Sequence, residues 1–247
     1  MRYGAVLSIA LVSLSLPCAY ATAKGLDEGE ENRLYTNEYA SCMVDINHKR
    51  AAEIILNDVS DLTFAAKYQD ILIDKPLNEV FECRQMHMRY QAEWLMNEDL
   101  LRFALAEALV RADLKSDKST NFSDRAPLSH YQVETKDALA VRLRLTEKKQ
   151  IPMLEKAFEQ QLAMMWLAYY GECVVRRDPM KVRDWLFSKS GSAAEDQAIQ
   201  NIAESLSACL TDGQKLNFKR NVLKGAMAVN YYRLAMAKPI TPAGAAH

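Results

Sequence analysis

Two cysteine-marked segments of this 247-residue chain carry the same pattern, and that repetition limits the possible folds more than any other feature. Tyr39-Ala-Ser-Cys42-Met-Val44 returns as Tyr170-Gly-Glu-Cys173-Val-Val175, and Leu101-Arg-Phe-Ala104-Leu-Ala106 as Leu223-Lys-Gly-Ala226-Met-Ala228. Between those anchors each copy holds a second cysteine, Cys83 in the first and Cys209 in the second. The matched positions are packing or cross-linking residues and none is an obvious catalyst. The duplication therefore speaks to architecture and compartment, and not to chemistry.

The compartment is read from the first residues. Arg2 supplies positive charge, Ala5 to Leu16 form an apolar run, Pro17 breaks it, and Ala19-Tyr-Ala21 offers small residues for cleavage. This is the pattern of an export signal over residues 1–21. The run is too short for a spanning helix, so no transmembrane anchor is expected after cleavage, and Cys18 leaves with the signal. Cys42, Cys83, Cys173 and Cys209 remain, an even number in an exported chain where disulfides persist. Arithmetic allows three pairings. If each copy is one folding unit, the bonds are Cys42–Cys83 and Cys173–Cys209. A loop of about 40 residues closed by each would add roughly 4 kcal/mol in the chain-entropy account. A four-thiolate zinc site would call for close C-x-x-C pairs, which are absent.

Low glycine and proline, 8 and 7 residues, with abundant Ala, Leu, Met, Glu and Lys, predict an all-α fold. The spacing predicts a helix from about Glu30 to Ile46, with Asn47 capping a second one to Leu56. The second copy repeats this punctuation: a long helix from about Pro152 to Arg176, then Asp178 as cap and Pro179 at the first helical position. Ser192-Ala-Ala-Glu195 reads as a capping box opening a helix that carries Ile199, Ile202 and Leu206. Each copy ends in an alanine-rich helix, about Glu98 to Leu114 and about Arg220 to Ala237. Small residues at Ala104, Ala108, Ala226 and Ala228 let such helices approach closely. Residues 136–150 include the alternating run Ala140-Val-Arg-Leu-Arg-Leu-Thr146, but a lone strand has no partner, and helix is favoured. The expected organisation is a helical unit over 22–114, a polar linker over 115–135, a second helical unit over 136–237 and a disordered tail over 238–247. The two units are expected to pack through the long helix before Cys173.

Candidate chemistry is sparse. The 31 basic and 32 acidic residues nearly cancel, which gives no electrostatic case for nucleic acid. No Gly-x-Ser-x-Gly elbow, Ser-x-x-Lys, His-Glu-x-x-His or glycine-rich phosphate loop occurs. Met86-His87-Met88 sets thioethers beside an imidazole, a ligand set suited to Cu(I); no second such cluster supports it, and methionines fill helical cores equally well. His48 follows the Asn47 cap, His130 falls in the linker and His247 ends the chain, none in a metal or catalytic spacing. Glu107 sits in an apolar helix and reads as a partly exposed structural carboxylate. Trp94, Trp166, Trp185, Tyr169, Tyr170, Tyr231 and Tyr232 would line a groove or fill the core; at helical spacing the core is the simpler reading. Asn121-Phe-Ser123 is a glycosylation sequon, relevant only in a eukaryotic host.

The stretch Tyr170-Gly-Glu-Cys-Val-Val-Arg-Arg-Asp-Pro179, with Gly191-Ser-Ala-Ala-Glu195, Cys209 and Leu223-Lys-Gly-Ala-Met-Ala228, resembles a loose group of uncharacterised exported, cysteine-paired α-helical proteins of Gram-negative bacteria. The resemblance implies fold and compartment and transfers no catalytic residue. The expectation is thus a periplasmic or secreted, non-enzymatic helical protein, free of cofactor, that holds another envelope or periplasmic protein or serves a structural role. The alternative is a small-ligand or copper-binding protein.

Overall fold

The structure is a computed structural model that describes residues 30–57, 71, 83, 98–116, 121–145, 150–211 and 218–240. Among these residues there are seven helices and no strand: α1 (Glu30–Leu56), α2 (Glu98–Asp113), α3 (Lys136–Arg142), α4 (Ile151–Arg177), α5 (Pro179–Phe187), α6 (Ala193–Ala208) and α7 (Arg220–Met236). Both disulfides are formed, Cys42–Cys83 and Cys173–Cys209, with Cα atoms 5.8 and 5.9 Å apart.

The two breaks anticipated from polar caps are present and nearly superimposable in backbone angle. Asn47 leaves helical geometry at φ −145°, ψ 64° inside α1, and Asp178 does so at φ −146°, ψ 69° between α4 and α5. Each lies five residues beyond its cysteine. Asn47 Oδ1 accepts from the Arg50 amide, and Asp178 Oδ1 from the Lys181 amide, so each side chain satisfies a donor that the new helix leaves orphaned. The capping box at α6 is also present, Ser192 Oγ accepting from the Glu195 amide while Glu195 Oε2 reaches back to the amide of Gly191.

Where the structure departs from expectation, the cause is local. Helix over 136–150 is realised as Lys136–Arg142. Arg144 then takes φ 54°, and the amides of Arg144 and Leu145 return to Val141 O and Ala140 O, a left-handed C-cap that spends the last carbonyls of α3. Pro239 and Ile240, assigned to the disordered tail, are held: Pro239 bridges to Arg125, and the Ile240 amide donates to Asp124 O at 2.7 Å. Residues 241–247 lie outside the described residues, as does the stretch 1–21 expected to be an export signal.

The joint between the halves also differs. The long helix α4 packs on α7, as α1 packs on α2, and the halves meet chiefly through α2 against α7. Small side chains explain the choice. A Cβ added at Gly225 on α7 would stand 2.2 Å from Phe103 Cβ on α2, so the backbone of one helix serves as the socket for the ring of the other. A Cβ at Gly171 would come within 2.5 Å of Asn230 Nδ2 and 3.1 Å of Ala226 O, which sets the α4–α7 approach. The expected small residues Ala104, Ala108, Ala226 and Ala228 are all buried, in one apolar core that runs through both halves.

Candidate functional site

Three separate segments line an open cleft of about 630 Å³. One face of α1 supplies Asn37, Glu38, Ser41 and Asp45 beside the Cys42–Cys83 bridge; α2 supplies Arg111; the end of α5 and the turn after it supply Phe187, Ser188, Lys189 and Ser190. These positions on α1 fall one turn and two turns apart, which is why they share a face. The turn at 187–190 is fixed from both sides: Ser188 Oγ donates to Trp185 O at 2.6 Å, and Ser192 Oγ to Lys189 O at 2.6 Å.

Behind that turn lies a fully buried ion pair. Lys224 Nζ stands 2.9 Å from Glu195 Oε1, and neither side chain is exposed. Lys224 also donates to Ser188 O at 3.0 Å, and Glu195 Oε2 faces Arg220 at 3.6 Å. Burial pulls the Lys224 ammonium below its ordinary value, and the fields of Glu107 and Glu195 oppose that pull. Ser188 Oγ lies 3.5 Å from Lys224 Nζ, which invites comparison with a serine–lysine nucleophile. The surroundings argue against it. The Glu195 carboxylate favours the charged ammonium over the neutral amine a base requires, and the Ser188 proton is already directed at Trp185 O. The arrangement anchors the turn that forms one wall of the cleft.

A second buried knot ties the linker to α4. Glu172 accepts from Arg176 Nε at 2.7 Å and from the Leu128 amide at 2.9 Å, and pairs with His130 Nε2 at 2.7 Å. Arg176 spreads its remaining donors over the carbonyls of Phe122, Arg125 and Ala126, and Arg233 donates to Ser129 O. The segment expected to be a polar linker is strapped down over residues 121–135, with Phe122 buried edge-on against Tyr231. Burial raises the Glu172 carboxyl, but His130, the Leu128 amide and Arg176 outweigh it and hold the group at about 2, down from 4.5. A depressed carboxylate stabilises the fold fully above its unfolded pKa and loses that contribution as pH falls through its folded pKa. Glu172 should therefore contribute about 3 kcal/mol at neutral pH. In urea melts Glu172→Gln is expected to lose most of that amount, and its stability should fall less steeply than wild type between pH 4.5 and 2. Parallel slopes would show that the knot does not carry the acid sensitivity.

The candidates named from sequence are dispersed. Met86, His87 and Met88 lie outside the described residues, as do Trp94 and His247, and no cluster of three potential metal ligands occurs among the described residues. Glu107 is buried, not partly exposed, because Arg111 one turn later neutralises it at 3.1 Å. His48 is half exposed and meets Asp113 at 2.6 Å, an oxygen pair that Tyr232 shares from α7. Trp185, Tyr231 and Tyr232 are core residues, and Trp166 stacks between Tyr170 and Phe218; these do not form a groove. His130, given no role from sequence, is the buried partner of Glu172.

A different surface stands out on the first half of α4. Ile151, Leu162 and Tyr169 are exposed by roughly half and spaced eleven and seven residues apart, which returns each to nearly the same azimuth. Met153 is more exposed still, and Val141 of the adjoining α3 is 79% exposed. No described helix is long and apolar enough to cross a membrane. The chain matches no family model, no curated protein and no solved structure.

Proposed function

We propose that this chain is a non-enzymatic periplasmic protein that holds another envelope protein against α3 and α4. The observation that carries the reading is the row Ile151, Leu162 and Tyr169 on α4, with Val141 exposed on the adjoining α3. Large apolar side chains aligned along about five turns, unmatched by a catalytic constellation anywhere in the described residues, suit an amphipathic helix laid alongside. The oxidising compartment follows from the two disulfides; the periplasm is the reading that joins them to the export signal at residues 1–21.

The same proposal takes the two halves as copies of one ancestral unit. Support comes from the matched breaks at Asn47 and Asp178, the matched cysteine spans of 41 and 36 residues, and the shared order of long helix, break and alanine-rich helix. Pairing of α1 with α2 and of α4 with α7 follows the same scheme.

The test is a photo-crosslinking amino acid placed at Leu162, with Gln197 on α6 as the control position, in cells that export the protein. A protein captured at Leu162 and not at Gln197 would be identified by mass, purified, and its affinity measured for wild type and for Leu162→Asp. A loss of about tenfold or more is expected from a charge set in an apolar interface. Equal capture at both positions, or an affinity indifferent to Leu162→Asp, would refute the assignment of this face.

A further inference from the structure

We infer that the Cys173–Cys209 disulfide is a thiol-exchange site: an incoming thiolate attacks Cys173 Sγ and stays there as a mixed disulfide, while Cys42–Cys83 resists the same reaction. The inference concerns one bond and its two sulfurs and requires no protein held on α3 or α4, so it stands or falls separately from the docking reading.

The two bonds occupy corresponding places in the repeated pattern and differ in burial. Cys173 is exposed on α4, and Cys209 is half-buried at the edge of the core. Cys42 is also half-buried, but Cys83 is completely buried. A helix covers its own backbone with its successive turns, so the exposure of Cys173 is that of its Cβ and sulfur. Exchange needs access at the sulfur attacked and a stable thiolate at the sulfur expelled. Attack on Cys173 meets both requirements, because the Cys209 thiolate it expels lies within reach of water. The other bond fails in either direction. Cys42 opens onto the cleft beside α1, yet attack there expels Cys83 into the apolar interior, where burial disfavours a thiolate, and Cys83 itself cannot be approached.

The step balances without an added oxidant or reductant. A bond forms between the incoming sulfur and Cys173 Sγ as the Cys173–Cys209 bond breaks, the electron pair of the broken bond leaves on Cys209 Sγ, and that thiolate takes a proton from water. One disulfide is exchanged for another. The reverse step, Cys209 thiolate returning to Cys173 Sγ, expels the thiol and restores the original bond. The fold keeps that return open. Tyr170 OH donates to Leu206 O at 2.9 Å, and Ser205 Oγ to Asp178 Oδ2 at 3.4 Å, so the chain is tied to α6 both before and after Cys173. The two cysteines therefore remain neighbours when their bond is open, and exchange proceeds within the folded protein.

The experiment uses the full exported chain with both disulfides intact, and the probe is reduced glutathione at mildly alkaline pH. Samples are quenched with acid over time, alkylated and mapped by peptide mass. Early samples are expected to carry glutathione on Cys173 and the alkyl label on Cys209, with Cys42–Cys83 still closed and opening about tenfold more slowly or less. Cys42→Ala/Cys83→Ala, which removes the buried bond, should gain the same adduct at Cys173 at the wild-type rate. Removing the glutathione should return the wild-type protein to its starting mass. Two bonds opening together would mean that exchange waits for global unfolding and would overturn the inference. So would Cys42–Cys83 opening first, an adduct on Cys209 in place of Cys173, or a wild-type protein that takes up no glutathione.

Discussion

Glu195→Leu should lower the stability of the oxidised protein by about 4 kcal/mol, because it strands the Lys224 ammonium in the core. The pair is 2.9 Å apart with both side chains fully buried, so neither charge can turn to water when its partner is removed. Glu195 has more to lose than Lys224. It also caps the start of α6 through the Gly191 amide and faces Arg220, whereas Lys224 has the Ser188 carbonyl as its second acceptor. Lys224→Met should therefore cost less than Glu195→Leu, the remaining carboxylate keeping the amide and the arginine. Combining the two should cost less than Glu195→Leu alone, since no unpaired charge is then buried. Urea melts of the four proteins give the coupling directly. If the two single losses simply added in the double variant, the buried pair would not be the source of either.

That pair had no sequence signal, and the reason is instructive. Lys224 and Glu195 are 29 residues apart, on different helices, and each has an innocent local reading: one as a charge in an alanine-rich helix, the other as the acid of a capping box. What periodicity and capping chemistry do reveal is whatever is decided within a few residues. The breaks at Asn47 and Asp178 and the cap at Ser192 are of that kind, whereas the cysteine pairing, over 41 and 36 residues, was legible through the repeated pattern alone. The strap over residues 121–135 is of the other kind. Arg176 holds it through three backbone carbonyls, and carbonyls are present at every residue, so nothing in the order of side chains distinguishes a strapped loop from a free one. The one clue was Glu172 set between Gly171 and Cys173 in the repeated segment, an acid in a register that packing had claimed. The cleft was hidden for the same reason as the ion pair, its walls coming from α1, α2 and the turn after α5. The joint between the halves was misplaced because alanine content marks both partners of a close crossing, whereas the socket itself is a single residue, Gly225 beneath Phe103.

Removing either disulfide, as Cys42→Ala/Cys83→Ala or Cys173→Ala/Cys209→Ala, should cost about 4 kcal/mol, since loops of such similar span restrict the denatured chain almost equally. The spans are 41 and 36 residues, and the first loop closes before the second begins. Loops that neither nest nor cross restrict separate stretches of the unfolded chain, so the two losses should add. A total near 8 kcal/mol is comparable with the whole stability of an ordinary domain, so the fully reduced protein should populate unfolded states at ambient temperature while each single-bond variant remains folded. The native side of the balance makes the second bond the milder loss. Tyr170 OH donates to Leu206 O at 2.9 Å, linking α4 to α6 one turn before Cys173 and Cys209 do, and this link survives when the sulfurs are gone. Thermal melts of wild type, the two double-alanine variants and the variant lacking all four cysteines would order the effects. Additive losses with the Cys42–Cys83 variant lower would agree with two separately pinned units. A reduced protein as stable as the oxidised one would mean that packing between α2 and α7 alone sustains the fold, and the bonds would then be incidental to the compartment the chain inhabits.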